Sequence, residues 1–269
     1  EIARGYGEAD NIVPREYAKK PPSIGFDVYL QGAMEKYKWM HILGDDECLL
    51  EDHFICNRIS ITPMVFSSRS KASPIEDATL KKLRTFDRRG ETNHILLLGN
   101  GGSGKTLMLK HLFLESARSH REHSLLPILV ELRNFSYQSN DIVSCIVKCL
   151  NEFDESFDEA TIRESLLKGR CQILMDGFDE IDPSDVKEFQ RKLSNFVSRY
   201  PNNQIVIASR DCNAVRSIGR FLRLYIAPLD SNQSTNLIDK LLADDTDADN
   251  AKCKIADYMN NGFIMKDGV

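Results

Sequence analysis

The sequence has no CxxC pair, no apolar run of membrane-spanning length and no excess of positive charge. Each absence removes a class of protein. Seven cysteines, at 48, 56, 145, 149, 171, 212 and 253, make an odd and unclustered set, which fits a reducing compartment better than a disulfide framework. No stretch of about 18 apolar residues offers a membrane span. The opening EIARGYGEAD lacks the charged-then-apolar layout of a signal peptide, so the expectation is a cytoplasmic chain with no membrane partner. A formal net charge of -5 gives no overall attraction to nucleic acid, and that partner is not indicated. Internal repeats and low-complexity tracts are also missing. The chain starts at Glu1 and ends in FIMKDGV without a clear cap, which sets up the expectation of a piece of a larger protein.

What is present is enough for a globular core: 269 residues, 42% hydrophobic and 28% charged. Residues 1–90 are mixed. PREYAKKPPS is turn-rich, YLQGAMEKYKWMHIL has helical spacing, SSRSKASP reads as a linker, and EDATLKKLRTF reads as a helix. No chemistry attaches to this region. From residue 91 short apolar runs alternate with amphipathic helices, the pattern of an α/β fold built on a parallel sheet. The predicted strands are HILLLG (94–99), LLPILVEL (125–132), CQILMD (171–176), QIVIAS (204–209) and FLRLYIA (221–227). Helices are predicted between them, with Asp141 and Asp158 as N-caps. SNQSTNLIDKLLADD and AKCKIADYM begin a helical unit after residue 230. The domain reading is thus 1–90 of unknown role, 91–230 as the sheet domain, and 231–269 as the start of a helical domain.

Between the first strand and the next helix lies GNGGSGKT, which matches G-x-x-x-x-G-K-T in full at Gly99, Gly104, Lys105 and Thr106. Glycines let a loop wrap its N–H groups closely around an anion, and the following helix adds its positive N-terminal end. The predicted cradle is Gly99, Gly101, Gly102, Ser103, Gly104, Lys105, Thr106 and Leu107, with Lys105 reaching the β and γ phosphates and the Thr106 hydroxyl on Mg²⁺. The plainer alternative, a glycine-rich turn without a ligand, fits neither the full match nor its strand-to-helix context. Such a loop needs a second carboxylate at a strand end, and CQILMDGFDEID supplies Asp176 as the other metal residue. Asp179 and Glu180 follow, placed to orient an attacking water, whereas Asp182 and Asp185 read as helix-start or solvated acids.

Together these residues resemble the NACHT domains of the STAND class of P-loop NTPases. The marks are GNGGSGKT, the strand-end Asp followed by a small residue and then an acidic pair in DGFDE, LLPILVELRNF as a second strand, and QIVIASR as a sensor strand. The resemblance covers about residues 91–230. It implies a three-layer α/β/α fold with strand order 5-1-4-3-2, and Arg210 as the arginine that senses the γ phosphate. It further implies a switch held inactive with ADP, which oligomerises with ATP, hydrolyses it slowly and signals in innate immunity. Bacterial antiphage defence is the expected setting, with the trigger and effector elsewhere. The family's later adenine-side Pro and phosphate-side His are not located here, since no His follows His123, and Pro228 reads as a turn.

Other residues have plainer readings. Arg133 follows the second strand without an assigned partner. His120 and His123 lack an acidic or Cys companion for a metal, Cys145 and Cys149 share a helical face as core residues, and Ser209 has no His for nucleophilic chemistry. Neither N-K-x-D nor T-K-x-D occurs, so adenine is preferred to guanine and the cofactors expected are ATP or ADP with Mg²⁺. An ATP-driven motor or helicase-like ATPase is the second functional class open to such a loop. A small-molecule kinase is a third, less well matched to DGFDE.

Overall fold

The computed structural model describes residues 26–41, 47–62, 83, 93–120 and 125–242. PREYAKKPPS, SSRSKASP, EDATLKKLRTF (Leu83 excepted), AKCKIADYM, His123 and Cys253 lie outside these residues.

Helix α1, Phe26–Tyr37, buries Tyr29, Leu30, Ala33 and Tyr37 along one face, with Asp27 in its first turn and Lys36 in its last. It ends earlier than its helical spacing predicts. Trp39–His41 (β1) instead pairs antiparallel with Glu47–Leu49 (β2), with Trp39 opposite Leu49. A short helix α2, Leu50–His53, leads toward the two-residue strand β3, Ile59–Ser60.

The main sheet contains β3, β4 (His94–Leu98), β5 (Leu126–Glu131), β6 (Cys171–Asp176), β7 (Gln204–Ser209) and β8 (Leu222–Ile226). Their spatial order is β3-β8-β4-β7-β6-β5, in which β8, β4, β7, β6 and β5 run parallel and β3 adds an antiparallel edge. Counted along the chain, the five parallel strands stand in the order 5-1-4-3-2, as the resemblance implies. All of β4, and β5 and β6 up to their last residues, are buried, which requires cover on both faces of the sheet.

The remaining helices are α3 (Lys105–Arg118), α4 (Ile142–Asn151), α5 (Glu159–Leu167), α6 (Val186–Arg199), α7 (Asn213–Arg216) and α8 (Ser231–Leu241). Both expected N-caps form: Asp141 accepts from Ser144 N–H at 2.7 Å and Asp158 from Thr161 N–H at 2.8 Å. At α8, Asp230 and Gln233 complete a reciprocal capping box. An aromatic cluster fastens α1 to α3 and its neighbours. Tyr29 and Tyr37 meet Phe113 edge-on at 6.4 and 5.0 Å, and Phe26 stacks on Phe157 at 5.1 Å. The Tyr29 hydroxyl donates to the Pro127 carbonyl at 3.0 Å, so this N-terminal helix is tied directly to β5.

A position on β6 breaks the pattern of satisfied polar groups among the described core residues. Gln172 on β6 is 1% exposed, and neither of its amide atoms has a hydrogen-bond partner among the described residues. Its replacement by Met keeps the length of the side chain and removes two desolvated groups. Gln172→Met is expected to raise unfolding stability by about 1 kcal/mol, read as a higher urea midpoint at unchanged slope. A lower midpoint would mean that an internal water serves this amide.

Candidate functional site

The site lies where the parallel strands end. After β4 the chain turns through Gly99–Gly104 into α3, and two of its glycines occupy the left-handed region, Gly102 at φ 72° and Gly104 at φ 85°. A side chain at Gly104 would be strained at that φ and would press on the Asn57 Oδ1 at 3.3 Å. Lys105 folds back over the loop and donates to the carbonyls of Gly99 at 3.0 Å and Asn100 at 2.8 Å. Burial lowers the pKa of its ammonium, while Asp179, Asp176 and Glu180 pull it upward. The first turn of α3 presents N–H groups that no helical carbonyl can satisfy.

The carboxylate side comes from β6. The Thr106 hydroxyl donates to Asp176 Oδ2 at 2.7 Å, which joins the two predicted metal residues across the loop. Burial raises the Asp176 carboxyl above its ordinary range. The Thr106 bond opposes this, and the neighbouring charges of Glu180 and Glu131 reinforce it. Gly177, at φ 76°, then turns the chain into a short 3₁₀ turn, Phe178–Glu180. Phe178 is buried and packs on Phe189, so the turn is anchored inward, with Asp179 mostly covered and Glu180 exposed.

Those two acids are drawn apart. Asp179 Oδ1 accepts the Arg210 backbone N–H at 2.9 Å, and its Oδ2 lies 3.1 Å from Arg210 Nε. The Arg210 guanidinium passes over the phosphate loop, its Cζ 3.5 Å from where a Gly101 Cβ would stand. Glu180 Oε2 instead pairs with Arg133 Nη1 at 3.2 Å, and Arg133 Nη2 reaches Glu131 Oε2 at 3.3 Å.

The fold therefore gathers Lys105, Thr106, Asp176, Asp179 and Arg210 around the glycine loop, with Glu180 held on the β5 side. Arg133, unpartnered in the sequence reading, is part of this charge network. Asn57 was not anticipated. It is buried beside Gly104 and donates to the Ala227 carbonyl at 3.3 Å, and no local pattern marks it. Asp182 is exposed and bonds to Ser184, as expected of a loop acid. Asp185 corrects the solvated reading: it starts α6 but is 4% exposed, and accepts the Tyr137 N–H at 2.7 Å. Pro228 is exposed just beyond β8. Cys145 and Cys149 are buried, with burial pushing each thiol up to about 12, so they serve packing. Among the described residues no group of three or more His, Cys, Asp or Glu side chains has a metal-binding arrangement, and no helix is long and apolar enough to cross a membrane.

Residues 93–245 match the NACHT domain. The chain belongs to the NACHT family. It carries a STAND-class P-loop NTPase domain, a nucleotide-binding module whose family uses nucleotide with Mg²⁺. No curated protein sequence matches this NACHT chain. Among solved structures it is similar to the Walker-type ATPase PABY2304 of Pyrococcus abyssi, at 14% identity over 68% of this chain and 67% of that one, TM-score 0.46. It is also similar to RIF2 of Saccharomyces cerevisiae, at 13% identity over 68% and 69%, TM-score 0.36. Domain III of the replication initiation protein DnaA of Thermotoga maritima is a third, at 16% identity over 61% and 66%, TM-score 0.39.

The NACHT donor set fits a phosphate tail and a hard divalent cation on its own chemistry. A hydroxyl and a half-buried carboxylate share one hydrogen bond where an oxygen-seeking cation would be held. Ser103 Oγ, shielded from solvent and without a partner among the described residues, belongs to the same glycine-lined cradle.

Proposed function

We propose that this NACHT domain is an ATP/ADP switch. With ADP it rests, and with ATP it assembles with further copies of itself, signals and resets by slow hydrolysis. In this reading Lys105 neutralises phosphate charge, and Thr106 with Asp176 holds Mg²⁺. Asp179 and Glu180 orient the attacking water, and Arg210 reads the third phosphate. The bound triphosphate and its cation supply the scissile anhydride and the charge that these side chains answer. Innate immunity, with bacterial antiphage defence as the setting, is the context proposed for the switch. Its trigger and effector would be carried elsewhere, and a thiol outside any disulfide, as at Cys212, fits a cytoplasmic location.

One observation carries the proposal. Arg210 already has an anionic partner, Asp179, while its guanidinium lies against Gly101 of the phosphate loop. A third phosphate and Asp179 would therefore compete for the same cation. A ligand shifts a two-state protein only through contacts that differ between the states, and this competition provides one that ADP lacks.

The test is to purify the chain, identify the retained nucleotide by mass, and measure particle size with ADP and with a non-hydrolysable ATP analogue. Retained ADP and growth in size with the analogue are expected. Fast exchange, with turnover driven by a partner and no change in size, would instead favour a motor.

A further inference from the structure

The acidic pair after β6 is split by its partners, and the topology gives the split a direction. β7 lies between β6 and β4, the strand that leads into the phosphate loop, whereas β5 lies on the opposite side of β6. Asp179 is bound to Arg210, directly after β7, and so leans toward the loop. Glu180 is bound to Arg133, directly after β5, and so leans away from it. Arg133 is itself anchored. Its second guanidinium nitrogen meets Glu131, and Asn134 Nδ2 donates to the same Glu131 oxygen at 3.3 Å. Glu131 stands in register with Asp176 across the β5–β6 ladder, so this anchor is fixed to the strand that carries the metal-side carboxylate. Gly177 suits the arrangement: a Cβ there would lie 3.2 Å from the Glu180 carboxyl carbon, a tight contact, and would be strained at φ 76°.

We propose that Arg133 is a positioning residue that holds Glu180 on the β5 side of Asp176, away from the phosphate loop, and thereby sets a low basal rate of hydrolysis. The inference rests on the reading that Glu180 orients water. Arg133 touches neither water nor phosphate in this scheme, and acts only through where it keeps the Glu180 carboxylate. Because both partners are exposed, the restraint is weak enough to be released when the nucleotide is engaged.

The experiment is steady-state Mg-ATP hydrolysis by the full chain, comparing wild type with Arg133→Ala, Arg133→Lys, Glu180→Gln and the Arg133→Ala/Glu180→Gln double variant. Arg133→Ala is expected to raise kcat about two- to five-fold, the range set by an exposed ion pair, with KM little changed. Arg133→Lys, which keeps the charge, is expected to bring kcat back toward wild type. The double variant is expected to be as inactive as Glu180→Gln. At saturating ATP, added salt should raise the wild-type kcat more than that of Arg133→Ala, because screening of the Arg133–Glu180 pair acts only where that pair exists. An unchanged or lower kcat in Arg133→Ala, alongside an inactive Glu180→Gln, would overturn the role of Arg133 alone. Full activity in Glu180→Gln would overturn the reading of Glu180 and this inference with it.

Discussion

Lys105→Ala is expected to weaken ATP and ADP binding by about a hundredfold or more, from the loss of charge-assisted hydrogen bonds worth roughly 1.5–3 kcal/mol each. The electrostatics around the lysine make the loss larger than one contact. Asp179, Asp176 and Glu180 all act on its ammonium, so a phosphate tail here approaches several carboxylates. Without Lys105, Arg210 still faces the loop, but Asp179 already engages it. The lysine also bridges the Gly99 and Asn100 carbonyls, and so holds the loop in its wrapped form before any ligand arrives. Both carbonyls lie on the rim of the site, and the fold itself should survive the change. Titration calorimetry with each nucleotide, beside a circular-dichroism melt, separates the two effects. Unchanged affinity in a folded variant would remove Lys105 from the phosphate site.

The phosphate loop and Asp176 were legible because their chemistry is local. A loop that must wrap an anion needs glycine at set positions, and a strand end needs its carboxylate at the last residue of an apolar run. The five parallel strands were legible for a similar reason, since strands buried on both faces read as continuous apolar runs. Their spatial order was not contained in those runs and came from the family resemblance. The edge strand Ile59–Ser60 is too short to show a period of two, and the Trp39–His41 hairpin strand was hidden inside a helical spacing. Asn57 carries no local mark, because its place beside Gly104 and Ala227 exists only once the N-terminal segment joins β8. Arg133 was visible as an arginine after a strand, but Glu180 becomes its partner only when β5 and β6 are neighbours. Asp185 read as a helix-start or solvated acid, and it does start α6. Its burial follows from the Tyr137 N–H that it satisfies, 48 residues away in sequence.

The largest loss of stability is expected at Asn203, in the PNNQ turn before β7. This side chain is fully buried and makes three hydrogen bonds to backbone groups from three segments. Its carbonyl oxygen accepts the Cys171 N–H at 3.0 Å, and its amide donates to the carbonyls of Leu166 at 2.8 Å and Tyr200 at 3.0 Å. It thus joins the end of α5, the first residue of β6 and the turn that follows α6. Alanine would take the acceptor from the buried Cys171 N–H and one of the donors from each of the Leu166 and Tyr200 carbonyls, which keep the backbone N–H groups of Gly169 and residue 203, and Asn203→Ala is expected to lower unfolding stability by roughly 2–4 kcal/mol. That is a large share of the 5–15 kcal/mol typical of a domain. Asn203→Asp should fare no better, because a carboxylate keeps the acceptor for Cys171 but sets negative charge against two carbonyl oxygens. The consequence reaches the site, since β6 runs from Cys171 to Asp176 and its placement fixes the carboxylate that Thr106 meets. Urea unfolding of wild type, Asn203→Ala and Asn203→Asp is the measurement. A midpoint shift equivalent to less than about 1 kcal/mol would mean that water replaces the lost partners and that the three segments are held together without this amide.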